Sequence, residues 1–285
     1  MYRCILPLSV ILFGCTPSAI PPDVVPKTPP KRIISTLPSI TEVLFDIGLG
    51  DRIVGDSYHT KYPPETAKIA KIGGLYDINY ESIISLKPEL VILSVENVTL
   101  RQSLSAPVLS VDHRSLSGML DSYLVIGEIF GSDVLTIARK KRQELQNKLN
   151  EYVPKTDDKV PIRTLIALDR THGIGRIQNL FAAGRDSFLT EVVARAGGIN
   201  VVEDRTRQYG VEGVIFLAPD VIIDIHTSSN NVEQSVFDWQ SLGKSVPAVR
   251  HNRILTLTED FASIPGPRTP MLIEKIAQYF ESLQE

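Results

Sequence analysis

Residues 79–93 read NYESIISLKPELVIL, and the segment from Glu212 to Ile223 answers them position for position. Glu81, Ile83, Ile84, Leu86, Pro88, Glu89, Leu90, Val91 and Ile92 match Glu212, Val214, Ile215, Leu217, Pro219, Asp220, Val221, Ile222 and Ile223 without a gap. Each copy puts a short amphipathic pattern before a proline and then an apolar run rich in Val, Ile and Leu, the signature of a helix feeding a buried strand. A second pair keeps the same order: Thr41, Glu42, Val43, Leu44 and Gly48 against Thr190, Glu191, Val192, Val193 and Gly197. Two lobes of related build account for both matches. A length of 285 residues agrees, being long for one domain and short for three.

Outward from the repeat, short apolar runs alternate with helical patterns. Strands are predicted at Arg32–Thr36, Ile53–Gly55, Leu90–Leu93 and Val108–Val111 in the first half, and at Thr164–Leu168, Asp220–Ile225 and Ile254–Leu257 in the second. Ser39, Ile40, Thr41, Glu42 reads as a capping box opening a helix that Gly48 ends. Leu116 to Tyr152 has helical periodicity, interrupted only near Gly131, Ser132 and Asp133, with Asp133 as the expected N-cap of the second part and Pro154 as the stop. Ser187–Ala196 reads as a helix closed by Gly197 and Gly198, and Pro270 sits near the first position of a last helix running to about Leu283.

Hydrophobic residues at 43% and charged residues at 22% give material for sizeable cores and argue against disorder or a bundle of membrane spans. A net charge of -3 offers no concentrated basic field, so nucleic acid is not an expected partner. The two cysteines, Cys4 and Cys15, both lie in the first fifteen residues, which leaves the body without a disulfide or thiolate metal site. Arg3 and the apolar run Ile5–Phe13 are too short to span a bilayer but fit the core of a secretion signal. With Leu12, Phe13, Gly14, Cys15, this leader resembles a bacterial lipoprotein signal, so Cys15 is the expected lipidation site. Thr16–Lys31 follows, carrying Pro17, Pro21, Pro22, Pro26, Pro29 and Pro30, a composition that makes an extended tether.

From Arg32 to the C-terminus the chain resembles the helix-linked class of ABC solute-binding proteins, which serves cobalamin, haem and ferric siderophores. The marks are Pro38–Gly50 (PSITEVLFDIGLG), Tyr62–Pro64, Asn79–Leu93, Gly184–Gly198 (GRDSFLTEVVARAGG) and Pro265–Arg268 (PGPR), strong in this order and spacing. The resemblance implies an α/β fold of two Rossmann-like lobes joined by a single long helix, with the ligand cleft between the lobes and a small closure. The expected boundaries are 1–15 leader, 16–31 tether, 32–131 first lobe, 132–154 linking helix and 155–285 second lobe. It also implies a monomer that is lipid-anchored at the periplasmic or outer cell surface, feeds an ABC permease with its ATPase subunits, and has no resident cofactor. The family motif puts the permease-docking carboxylates on Glu81 and Glu212, the same glutamates that the internal repeat pairs.

Carried over from cobalamin-binding relatives, the expected cleft residues are Tyr58 or His59, Leu75 and Tyr76 from the first lobe. Leu75 stands where the relatives have a large aromatic. The second lobe adds Arg170, His172, Phe181, Tyr209, Asp260 and Phe261, with Glu259, Asp260, Phe261 before PGPR matching an acid and aromatic pair. Aromatic area and acid or amide partners suit a large mixed ligand such as cobalamin or a ferric chelate. Arg170, Arg185 or Arg268 would clamp the carboxylates of a siderophore. None of the five histidines has metal-site spacing, so a bare ion is not the expected cargo; ligation of a haem or corrinoid by one of them stays open, with His59 and His172 the candidates. The lone Trp239 is the expected optical reporter. An enzyme reading lacks a Gly-x-Ser-x-Gly, a His-Glu-x-x-His and a phosphate loop. A lipid-anchored sensor would share the fold but have no use for both docking glutamates.

Overall fold

Two sheets carry the chain, one for each half of the repeat. The computed structural model describes residues 26–74, 77–152, 160–170, 175–226 and 232–284. The first sheet holds β1 (Ile33–Ser35), β2 (Ile53–Asp56), β3 (Ala70–Lys71), β4 (Leu90–Ser94) and β5 (Val108–Val111) in the order β3-β2-β1-β4-β5, every pair parallel. The second holds β6 (Ile162–Arg170), β7 (Asn179–Ala182), β8 (Gly198–Asn200), β9 (Arg207–Gly210), β10 (Val221–Ile225) and β11 (Ile254–Leu257). Its order is β11-β10-β6-β7-β9, with β8 paired to β6, and β7 is antiparallel to both neighbours. β4 and β10 are buried along their whole length because helices cover both faces, which is why they read as unbroken apolar runs.

The helices are α1 (Pro38–Asp46), α2 (Tyr80–Ser85), α3 (Val98–Ser103), α4 (Leu116–Phe130), α5 (Ser132–Asn150), α6 (Phe188–Arg195), α7 (Val211–Leu217), α8 (Val232–Gln240), α9 (Pro247–Arg250) and α10 (Thr269–Ser282). One apolar layer is common to both lobes: Leu44 of α1, Tyr123 of α4, Leu189 of α6 and Ile273 of α10 belong to a single cluster that also takes Ile33 and Ile92 from one sheet and Ile166 and Ile223 from the other. The alternate residues Ile34 and Val91 face a separate outer layer in the first lobe, and Leu165 and Ile222 another in the second. Such alternation follows from the two-residue period of a strand.

The repeat is written into the backbone. α1 and α6 each end two residues before a glycine in the left-handed region, Gly48 at φ +80° and Gly197 at φ +97°. After α2 and α7 come Lys87 at φ 47° and Ala218 at φ 44°, both non-glycine and both directly before the repeat's proline. Proline disfavours the right-handed helical conformation in the residue before it, which stops each helix at the same point.

Two local expectations are overturned. Ser39 and Glu42 do not form a capping box: α1 begins at Pro38 after Leu37 with no side-chain cap, and both side chains are drawn elsewhere, Ser39 to His113 and Glu42 to Arg268. Asp133 is not an N-cap, because Gly131 takes that position at φ 93° and Asp133 lies inside the first turn. The break at Gly131 also does more than interrupt: α5 folds back along α4, bringing Arg142 to Asp121 at 3.3 Å and leaving only room for Gly127 against Ala138. Farther along, α5 touches both halves, with Lys141 on Asp46 at 3.0 Å and Leu149 O accepting from Arg195 Nη1 at 2.7 Å. Strands β3, β7, β8 and β9 are additions, each too short or too polar to show an apolar period.

Candidate functional site

A cleft of about 680 Å³ opens between the lobes. Its first wall is made at the carboxyl ends of four parallel strands: Leu37, Pro38 and Ser39 after β1, Ser57, His59 and Lys61 after β2, Ser94 and Glu96 at and after β4, His113 and Arg114 after β5. Open α/β sheets place ligands at that edge because the strand-to-helix turns present free backbone groups and side chains there. The second wall comes from Leu168 of β6, Asp186, Ser187 and Phe188 at the head of α6, Thr206, Asp260, and Ser263, Ile264 and Pro265 before α10. β6 has an irregular register against β7 between Ala167 and Asp169, and Leu168 falls in that bulge, a device that re-aims a side chain.

Part of the lining is polar. His113 is buried, its Nδ1 lies 2.9 Å from Ser39 Oγ, and its Nε2 has no hydrogen-bond partner. Burial pushes the imidazole down to about 4, against the pull of Asp112, so it is neutral at neutral pH. Asp186 sits below the ordinary carboxylate range: burial would raise it, but the Thr206 N–H at 2.7 Å and Thr206 Oγ1 at 2.9 Å outweigh that. Arg114 forks onto Asp112 at 2.8 and 2.6 Å.

Asp260 meets the cleft already engaged. Arg268 donates to both its oxygens at 2.8 and 3.0 Å, stacks its guanidinium 4.2 Å from the Tyr62 ring, and reaches across to Glu42 at 2.6 Å. Burial opposes the ionised form of Asp260, yet the Arg268 bonds leave it lowered; in Glu42 burial dominates and the carboxyl is raised.

Of the cleft residues expected from sequence, His59 and Asp260 line the cavity. Tyr58 stands beside it, exposed, its ring 4.3 Å from that of His59 and its hydroxyl donating to Asp77 at 3.1 Å. Leu75, Tyr76 and His172 lie outside the described residues, as does Cys15. Phe261 packs on the shared core under the Arg268 guanidinium, and Tyr209 on the outer core of the second lobe, its ring beneath Arg207; neither lines the cavity. Phe181 projects from β7, nearly half exposed, away from the lining set.

Arg170 is a clear correction. Its side chain is 0% exposed and forks onto Asp224 at 2.8 and 3.1 Å and onto Asp238 at 2.9 Å, deep in the second lobe. Arg268 is likewise committed to Glu42 and Asp260, and Arg185 is outside the lining, so none of the three proposed carboxylate clamps stands free in the cleft. Trp239 is fully buried, donating Nε1 to Asp224 at 2.9 Å, and does not face the cavity. Sequence reasoning missed His113, Arg114, Glu96 and Thr206. The first three follow predicted strands directly, and that position was the available signal. Glu81 and Glu212 both stand exposed in the first turns of α2 and α7, as the repeat requires.

A family model described as periplasmic binding protein matches residues 33–261. An ABC transporter substrate-binding lipoprotein of Bacillus subtilis, YvrC, is 28% identical over 92% of this chain and 82% of its own length. The vitamin B12-binding protein of Vibrio cholerae is 25% identical over 98% of this chain and 99% of its own. The crystal structure of the periplasmic vitamin B12 binding protein of Vibrio cholerae superimposes with a TM-score of 0.73 at 24% identity, over 90% of this chain and 99% of that one. A periplasmic haem binding protein from Pseudomonas aeruginosa gives 0.75 at 19%, over 88% and 92%. At these identities the two superpositions speak for the two-lobed fold alone.

Proposed function

The chain belongs to the periplasmic binding protein family, and from that premise we propose that it captures a metal chelate, cobalamin before a ferric siderophore, and hands it to a permease. Members of this family are extracytoplasmic solute-binding proteins of ABC importers, not enzymes; they deliver solute to a permease whose ATPase subunits supply the energy. The observation that carries the cargo reading is the cleft itself: about 680 Å³ between two walls, with serines, threonine and carboxylates facing Leu37, Leu168, Phe188 and Ile264. A large ligand with an apolar body and a rim of amides matches that mixture. The vitamin B12-binding relative, similar along nearly its entire length, supports cobalamin as the first ligand to try.

Glu81 and Glu212 are the proposed docking carboxylates. Each is exposed near a helix N-terminus, and the repeat-equivalent Ile84 and Ile215 stand exposed three residues on. Two like patches on two lobes suit a partner with two equivalent subunits, where charge pairs set register and association rate. α5 is the proposed strut between lobes, and Cys15 the proposed lipid anchor. No described helix is long and apolar enough to cross a membrane.

Calorimetric titration with cobalamin, haemin and a panel of ferric siderophores tests the cargo. Calorimetry is chosen because Trp239 is buried away from the cleft. One-to-one binding of cobalamin supports the reading; binding of haemin or a ferric siderophore alone replaces the cargo, and binding of none removes it.

A further inference from the structure

The two glutamates of the second repeat match reach across the joint in opposite directions. Glu42, on α1 of the first lobe, receives Arg268 from the head of α10 in the second, with Nη2 to Oε1 at 2.6 Å and Nε to Oε2 at 3.2 Å. Glu191, on α6 of the second lobe, accepts the N–H of Leu116, the first residue of α4 in the first, at 3.1 Å. α4 follows the last strand of the first sheet and α10 the last strand of the second, so equivalent carboxylates hold the heads of equivalent helices. Such helix heads carry unsatisfied N–H groups and favour an anionic partner.

Both contacts bear on the cleft. His113 and Arg114 lie just before α4, and Asp260, Ser263, Ile264 and Pro265 just before α10, so each carboxylate steadies the wall contributed by the opposite lobe. Gly266 lets the two sides close at Glu42, since a Cβ there would come within 3.1 Å of Oε2. Beneath the contacts runs the apolar layer shared by α1, α4, α6 and α10, which cannot slide without parting packed side chains.

We propose that Glu42 and Glu191 are a reciprocal pair of cross-lobe positioning residues that set the width of the cleft and confine its movement to a small hinge. The proposal deepens the reading of the cleft as the solute site and rests on it for purpose, but its geometric content needs no ligand. The two contacts differ chemically. Glu42 accepts a charge-assisted fork, which a neutral amide weakens; Glu191 accepts one backbone N–H, which a glutamine oxygen also accepts.

The test is the inter-lobe distance distribution read by pulsed dipolar spectroscopy from spin labels at Glu65→Cys and Gln208→Cys, in the full chain with Cys4→Ser and Cys15→Ser. The unsubstituted glutamates should give one narrow distribution, Glu191→Ala and Glu42→Ala broader ones reaching longer distances, and Glu191→Gln the narrow one again. An Ala variant as narrow as its parent, or Glu191→Gln as broad as Glu191→Ala, overturns the proposal. Should Glu42→Ala fail to fold, Glu42→Gln takes its place, with broadening expected and an unchanged distribution fatal. Absence of chelate binding by the parent chain defeats the cargo reading alone and leaves these outcomes intact.

Discussion

Replacing Arg170 by Met should destabilise the second lobe severely rather than merely weaken ligand binding. The guanidinium satisfies Asp224 at 2.8 and 3.1 Å, Asp238 at 2.9 Å and Ser235 at 3.1 Å, and no atom of the three charged side chains has appreciable contact with solvent. Methionine fills much of the volume but leaves two carboxylates buried without their cation. Trp239, Ser235 and the Gly175 N–H still donate to them, which lowers the penalty without cancelling the charge. Breaking a buried pair from one side costs about 3 to 5 kcal/mol, and two stranded carboxylates place this case near about 4. With a urea m-value of about 3 kcal/mol/M, the unfolding midpoint should fall by roughly 1.3 M. Arg170→Lys should recover little, because a single ammonium cannot span two carboxylates as the fork does. Adding Asp238→Asn to Arg170→Met should recover part of the loss by removing one stranded charge. Urea unfolding followed by circular dichroism decides the matter: a loss under about 1 kcal/mol, or full rescue by Lys, would refute the account.

Asp56 is buried with Lys71 Nζ at 2.7 Å, and burial pushes its carboxyl up to about 6 from 3.8 in spite of that partner. A raised folded-state value means its contribution is complete below about pH 4 and is lost as pH rises through about 6, by up to about 3 kcal/mol. Stability of the parent chain should therefore fall relative to Asp56→Asn between pH 4 and 7, and a constant difference across that window would disprove it. Gly266→Ala should press a methyl toward Glu42 Oε2 at 3.1 Å and cost on the order of 1 to 3 kcal/mol in thermal unfolding, whereas a neutral result would mean that the Arg268 bridge gives way freely. Glu81→Lys with Glu212→Lys should leave chelate affinity unchanged while abolishing uptake in a transport assay; loss of affinity, or full uptake, would count against a docking role.

The sequence alone determined the two-lobed α/β plan, the parallel strands β1, β2, β4 and β5, and the points where α1 and α6 end. These are governed by local rules: the apolar period and the glycines Gly48 and Gly197 act within a few residues of themselves. His59 and Asp260, expected only through the resemblance to cobalamin-binding relatives, stand close behind β2 and β11 and line the cavity. Only the tertiary structure decided what each polar side chain faces. Arg170 reads as a free cation at a strand end until Asp224 and Asp238, far along the chain, close around it. Ser39 and Glu42 read as a capping box until His113 and Arg268 offer stronger partners from elsewhere. A buried charge takes whichever counter-charge the packing brings within reach, and sequence spacing carries no record of that distance.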